Sequence, residues 1–256
     1  MGDPAEMQLP AGLSSARAGG LSDLIAEITG TRPRALPTLA PALLFADDAV
    51  QSRLDMPHAS QADILIHDAQ SIALDGAFPC DTALAARARR TPKGPLTEFT
   101  FTLMNGGSPV ASLGTTLRLV PKTDLGAVKP TPFRTGSLTD TEWTGPLTVS
   151  QAQTDRYLAL SGDANPIHQD VTQAQALGLP APIVPGLLLL SLIQPAAEAA
   201  FPDARLTSLK SRFLAPLCVG NPMRIGLQPR GQTRARAYLI ANGDRALAIA
   251  DLTFQP

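Results

Sequence analysis

Between Pro95 and Val120 the chain alternates apolar and polar residues on both sides of a glycine pair: "PLTEFTFTLMN", then Gly106–Gly107, then "SPVASLGTTLRLV". A period of two places Phe99, Phe101 and Leu103 on one face of a strand. Two glycines between alternating runs supply the positive φ angles that a tight hairpin requires. The first half must therefore contain antiparallel sheet with one face buried. Upstream, "ADILIHDAQSIALD" (62–75) has strand-like apolar runs and "GAFPC" is a turn signal. "DTALAARARR" (81–90) sets Leu84, Ala86 and Ala88 against Arg87 and Arg89. Before these strands, "LSDLIAEI" reads as a helix capped by Ser22, and residues 35–54 as short helical pieces broken by prolines.

Residues 121–137 carry three prolines and little periodicity, and read as part of a linker. The pattern then restarts. Ser150 and Gln153 form an S-x-x-Q capping box that opens a helix ending at Gly162. The apolar segment "PGLLLLSLIQPAAEAAF" reads as a buried helix, with Pro185 just before its first turn and Pro195 predicting a kink or an early stop. Three or four strands follow, with a hairpin signal at Asn242–Gly243. The second half thus reads helix, loop, helix, strands, and the first half reads as a weaker version of it.

Net charge is −1 with three histidines, so the composition offers no broad basic surface for nucleic acid or an anionic membrane. The longest apolar run is interrupted by Pro185, Gly186 and Ser191 and is too short to span a bilayer. The N-terminal stretch has no basic n-region and no apolar h-region, so no signal peptide is expected. Two cysteines, Cys80 and Cys218, make neither a disulfide framework nor a metal spacing, which leaves a reducing cytoplasm as the default.

Between the two helices of the second half lies "SGDANPIHQD" (161–170), which crowds Asp163, Asn165 and His168 into six residues. Pro166 restricts Asn165 to extended geometry, so the preceding helix cannot continue through the loop. A carboxylic acid and an imidazole facing one water would form an acid–base pair. The same residues also fit simple loop chemistry, with Asp163 capping, Asn165 making an Asx-turn and His168 lying on the surface. Composition alone favours that plainer reading. Gly186 adds weight on the other side, because a glycine at the start of a buried helix lets a ligand approach free backbone N–H groups. It could equally serve only close packing.

The stretch "YLALSGDANPIHQDVTQA" (157–174) resembles the signature of the MaoC-like (R)-specific enoyl-CoA hydratases. That signature has an aromatic residue, then S-G-D-x-N-P-[apolar]-H, then a small residue six positions on. Tyr157, Ser161, Gly162, Asp163, Asn165, Pro166, Ile167, His168 and Ala174 fit it. "RFLAPLCVGNPMRI" (212–225) resembles the family's following segment, and "ILIHDAQSIALDGAFPCDTALAARARR" resembles the first, non-catalytic unit of its two-domain members.

The resemblance implies an α+β double hot-dog, two antiparallel sheets each wrapped on a central helix. Its units would be a non-catalytic hot-dog at 1–121, a linker at 122–144 and a catalytic hot-dog at 145–256. It implies that His168 takes a proton from water, Asp163 delivers one to the α-carbon, Asn165 positions the loop or the water, and the Gly186 N–H holds the thioester oxygen. Ile167, Pro185 and Arg212 would bind the substrate, with Arg87, Arg89 and Arg90 as further candidates for CoA phosphates. His67 falls where two-domain relatives also carry a histidine, and reads as structural.

The expected reaction interconverts trans-2-enoyl-CoA and (3R)-3-hydroxyacyl-CoA by syn addition or elimination of water, with no cofactor and no metal. Acyl-CoA is the partner, and a monomer and a homodimer are both open. The family usually has a histidine before the glycine, where this chain has Pro185. That departure bears on substrate more than on reaction. Rival readings are a dehydratase of a short branched or dicarboxylic (mesaconyl-type) acyl-CoA and a non-catalytic acyl-thioester-binding protein.

Overall fold

The computed structural model describes residues 5–54, 63–121, 133, 136 and 138–256. The strands of the first half are β1 (Ala5–Leu9), β2 (Asp63–Leu74), β3 (Leu84–Lys93), β4 (Leu96–Asn105) and β5 (Ser108–Pro121). Those of the second half are β6 (Glu142–Trp143), β7 (Leu147–Thr148), β8 (Arg205–Phe213), β9 (Pro222–Pro229), β10 (Arg234–Ala241) and β11 (Arg245–Gln255). The expected sheets meet edge to edge, because β2 pairs with β8 and makes one continuous antiparallel surface ordered β1-β3-β4-β5-β2-β8-β11-β10-β9-β6. Outward from that junction each half has the same order: its long strands run first, fourth, third, second. This is the double hot-dog, and the repeat is plain in topology.

The hairpins form where their turn residues allow. Gly106 and Gly107 have φ of +54° and +90° and close β4 onto β5 through the Asn105–Ser108 pair. Asn242, Gly243 and Asp244 turn β10 into β11, with φ of +74° at Gly243 and +54° at Asp244. Phe99 and Phe101 on β4 point inward, and both meet Phe45 edge-on at 6.3 and 5.1 Å. Phe45 belongs to a 3₁₀ segment, Ala40–Ala46, in the region where prolines break the helical pattern.

The helices are α1 (Ser15–Thr29), α2 (Asp48–Gln51), α3 (Gln151–Ser161), α4 (Val171–Ala176), α5 (Gly186–Ser191) and α6 (Ile193–Ala200). Ser22 does not cap α1. That helix starts a full two turns earlier on Ser14, whose side chain accepts from the Arg17 N–H, and Ser22 is buried mid-helix with its hydroxyl donating to the Ala18 carbonyl. The reason is tertiary: a Cβ at Gly20 would lie 2.8 Å from Leu160 Cδ2, so a glycine there lets α1 press on α3. The capping box at Ser150 and Gln153 forms as expected, and α3 ends at Gly162 with φ of +73°.

The central apolar helix breaks at Leu192 into α5 and α6. Pro195 sits in the first turn of α6, where its missing N–H has no intrahelical acceptor to lose. Leu188, Leu190, Leu192 and Ile193 are almost wholly buried, so these helices fill the core all round rather than along one stripe. Of the expected linker, residues 122–132, 134, 135 and 137 lie outside the described residues; β6 and β7, at its end and just beyond, pair with β9. No helix among the described residues is long and apolar enough to cross a membrane.

Candidate active site

The loop after α3 folds through its own side chains. The Asp163 N–H donates to Ser161 Oγ at 3.2 Å, and Asp163 Oδ1 accepts from the Asn165 N–H at 2.9 Å. Asn165 Oδ1 accepts from the Ile167 N–H at 3.3 Å and so caps the 3₁₀ turn Pro166–His168. The plain turn chemistry is therefore present, and convergence is present with it. Ile167 and His168 are both buried, and Ile167 packs with Ile64, Leu177 and Leu179.

His168 is oriented from behind. Its Nδ1 lies 2.8 Å from the Ile183 carbonyl oxygen, which can only accept, so Nδ1 carries the proton and Nε2 of the neutral ring keeps its lone pair. That Nε2 lies 3.6 Å from Asp163 Oδ2. The separation is too long for a direct hydrogen bond, but a water oxygen can stand about 2.8 Å from both atoms. The Asp163 side chain is 39% exposed and that of His168 10%, so the pair has one wet side and one dry side.

Both halves of the molecule wall a cavity of about 590 Å³ above this pair. The second half contributes Asp163, Asn165, Ile167, His168, Pro185, Gly186 and Phe213, so six of the seven expected residues are brought to one place. Arg212 is the seventh. It is exposed on β8, next to the cavity-lining Phe213 but on the other face of the strand, and it does not line the cavity. Arg87 is likewise on the surface, bonded to Glu6.

Pro185 caps α5 without a side-chain bond, and Gly186 is the first helical residue. Its N–H has no acceptor within the helix. A Cβ at Gly186 would lie 2.7 Å from Phe213 Cε1 and 2.8 Å from Cζ, so only glycine fits under that ring.

The first half supplies Ala42, Phe45, Leu65, Leu113 and Leu117 as apolar wall, and His67, Gln70 and Thr115 as a polar strip. His67 Nε2 lies 3.0 Å from the Ala69 carbonyl and 3.1 Å from Gln70 Oε1, which also accepts from Thr115 Oγ1 at 2.8 Å. Burial pushes the His67 imidazole down to about 4, against the hydrogen bonds to Ala69 and Gln70 and the negative charges of Asp163 and Asp68. The ring is neutral with its proton on Nε2. Reading His67 as structural thus missed its place on the cavity wall. The register of β2 against β5 shifts between His67 and Ala69, and such a bulge breaks the alternation from which a strand's faces are read. Tyr157 also lines the cavity; burial, then the Asp163 charge, push its phenol upward, so its hydroxyl keeps its proton.

Comparison with known proteins bears on this geometry. Residues 136–242 match the family described as MaoC like domain. The chain is 32% identical over 105 residues to peroxisomal multifunctional enzyme type 2 of Drosophila melanogaster, a stretch covering 40% of this chain and 17% of that protein. It is 36% identical over 81 residues to 3-hydroxyacyl-thioester dehydratase X of Mycobacterium tuberculosis, covering 32% of this chain and 28% of that one. The aligned stretches thus span less than a third of either curated relative. The crystal structure of HtdX from Mycobacterium tuberculosis superposes with a TM-score of 0.75 at 20% identity, covering 98% of this chain and 99% of that one, a likeness of fold. The second half of this double hot-dog thus carries a MaoC-like domain over residues 136–242.

Proposed function

We propose that the chain is a hydro-lyase that interconverts a trans-2-enoyl-CoA and a (3R)-3-hydroxyacyl-CoA at this site. The observation that carries the proposal is the tethered His168, whose free Nε2 faces Asp163 at 3.6 Å inside the cavity. In hydration, the water oxygen bonds to C3 while His168 Nε2 takes its proton. The C2–C3 π electrons move toward the thioester carbonyl, and the growing negative charge on oxygen meets the Gly186 N–H. The proton taken by His168 then passes to the Asp163 carboxylate, which delivers it to C2. Imidazole and carboxylate are thereby both restored for the next turnover. Acid and base share one side of the substrate, so addition is syn.

The lining supports an apolar acyl chain over a dicarboxylic one. Asp48, Asp68 and Asp163 line the cavity, and no lysine or arginine is among its described lining residues. A second substrate carboxylate would be desolvated without a cation. Pro185 replaces the histidine usual in the family while leaving the Gly186 N–H available. Two free cysteines accord with a reducing cytoplasm.

The test is hydration of crotonyl-CoA, longer straight-chain enoyl-CoAs and mesaconyl-CoA, followed by loss of the enoyl absorbance and chiral analysis of the product. Turnover of straight chains to the (3R) alcohol is expected. Exclusive turnover of mesaconyl-CoA would transfer the assignment to the dicarboxylic reading, and binding of every thioester without turnover would leave only a binding protein.

A further inference from the structure

The first half of the chain presents a histidine to a site whose acid and base both come from the second half. His67 is held on one side by its own strand. Its Nε2–H points at the Ala69 carbonyl and Gln70 Oε1, and Gln70 is fixed in turn by donating to the Ser71 carbonyl at 3.0 Å while its own carbonyl accepts from Ser211 Oγ at 3.2 Å. On its other side the imidazole meets the ring of Phe213, with centroids 4.7 Å apart and planes tilted by 51°. Phe213, at the end of β8, lies directly over the Gly186 backbone. The order His67, Phe213, Gly186 is thus a continuous stack from strand β2 to the first residue of α5. β2 and β8 are neighbours in the sheet, so the stack is short and well supported.

We propose that His67 is a positioning residue for the oxyanion-binding backbone: through Phe213 it fixes where the Gly186 N–H stands relative to Asp163 and His168. This rests on the hydratase reading for its kinetic consequence, but not for its geometry. A packed ring transmits a shift because interiors have little free volume, and a misplaced donor weakens transition-state binding more than ground-state binding. A leucine in place of His67 would fill the wall but could not present a flat ring to Phe213. The first half would then be part of the reaction's scaffold and not only a container for the acyl chain.

The test uses the full chain as wild type, His67→Ala, Phe213→Leu, the double variant and His67→Phe, each checked for folding by circular dichroism. His67→Ala is expected to lower kcat roughly tenfold with KM changed less than about twofold. The double variant should lose no more than Phe213→Leu alone, because both act along one path. His67→Phe, which restores the ring, should recover most of the rate. A second readout needs no turnover: ring current from Phe213 shifts the Gly186 resonances, and His67→Ala should move them although it does not touch Gly186. Unchanged kcat in His67→Ala, losses that multiply in the double variant, or an unmoved Gly186 signal would overturn the proposal. A wild type that hydrates nothing would instead overturn the hydratase reading, while the Gly186 signal would still decide the positioning role.

Discussion

The Nδ1–H of His168 donates to the backbone carbonyl of Ile183, and the Ile183 N–H donates back to the Ile167 carbonyl at 3.1 Å. One residue, three before Gly186, therefore stitches the Asp163–His168 loop to the segment that enters α5. The link sets the histidine tautomer and the spacing between His168 and the Gly186 N–H in a single contact. Cys218 holds Ile183 from the other side through an isolated antiparallel bridge.

Gly186→Ala is expected to lower both stability and rate. Its new methyl group would overlap the Phe213 ring, and forcing a methyl into a packed site costs about 1–3 kcal/mol. Adding Phe213→Leu to the same chain should recover most of the lost thermal stability. Melting curves of the single and double variants check this.

Ala42 is buried on the cavity wall contributed by the first half. Ala42→Leu should shorten the usable space, lowering kcat/KM for long enoyl-CoAs by about tenfold or more while costing crotonyl-CoA far less. Kinetics across a chain-length series report it. A uniform loss at every length would place the acyl chain elsewhere.

His67 also gives a pH signature. Its folded-state value of about 4 lies below its ordinary value of 6.5, so between those values the unfolded chain binds more protons. The contribution is complete above 6.5 and is lost as pH falls through about 4, with an upper bound on the order of 3 kcal/mol. Urea unfolding at several pH values between 7.5 and about 4 should show this fall in wild type and a flatter profile in His67→Phe.

A stability prediction concerns the buried carboxylate of Glu198. It accepts from the Arg34 N–H at 2.7 Å and from Gln194 Nε2 at 2.8 Å, tying the segment after α1 to α6. Glu198→Ala leaves both donors without that partner and should cost about 1–3 kcal/mol. Urea unfolding at neutral pH measures it.

What could be read in the sequence was what is local or dense. Hairpins at Gly106–Gly107 and Asn242–Gly243, the Ser150 capping box, and the crowding of Asp163, Asn165 and His168 are decided within a few residues of chain. What depended on distant partners was hidden. The helix that reads as starting at Ser22 begins at Ser14 and packs Gly20 against Leu160, and Gly186 serves close packing because a Phe213 ring 27 residues away covers it. His67 reaches the cavity beside a bulge that the residue pattern does not announce. Arg212 has the right chemistry for a phosphate but the wrong parity on its strand to reach the cavity beside Phe213.

The central claim is that one water is shared between Asp163 and His168. It is tested most directly by enoyl-CoA hydration with purified wild type, Asp163→Asn and His168→Gln. Each variant removes one proton-transfer group at nearly constant shape, so each should lose about 10²–10⁴-fold in kcat with the fold intact. The double variant should lose little more than the worse single, because neither group works alone. Full activity in either single variant would contradict the account.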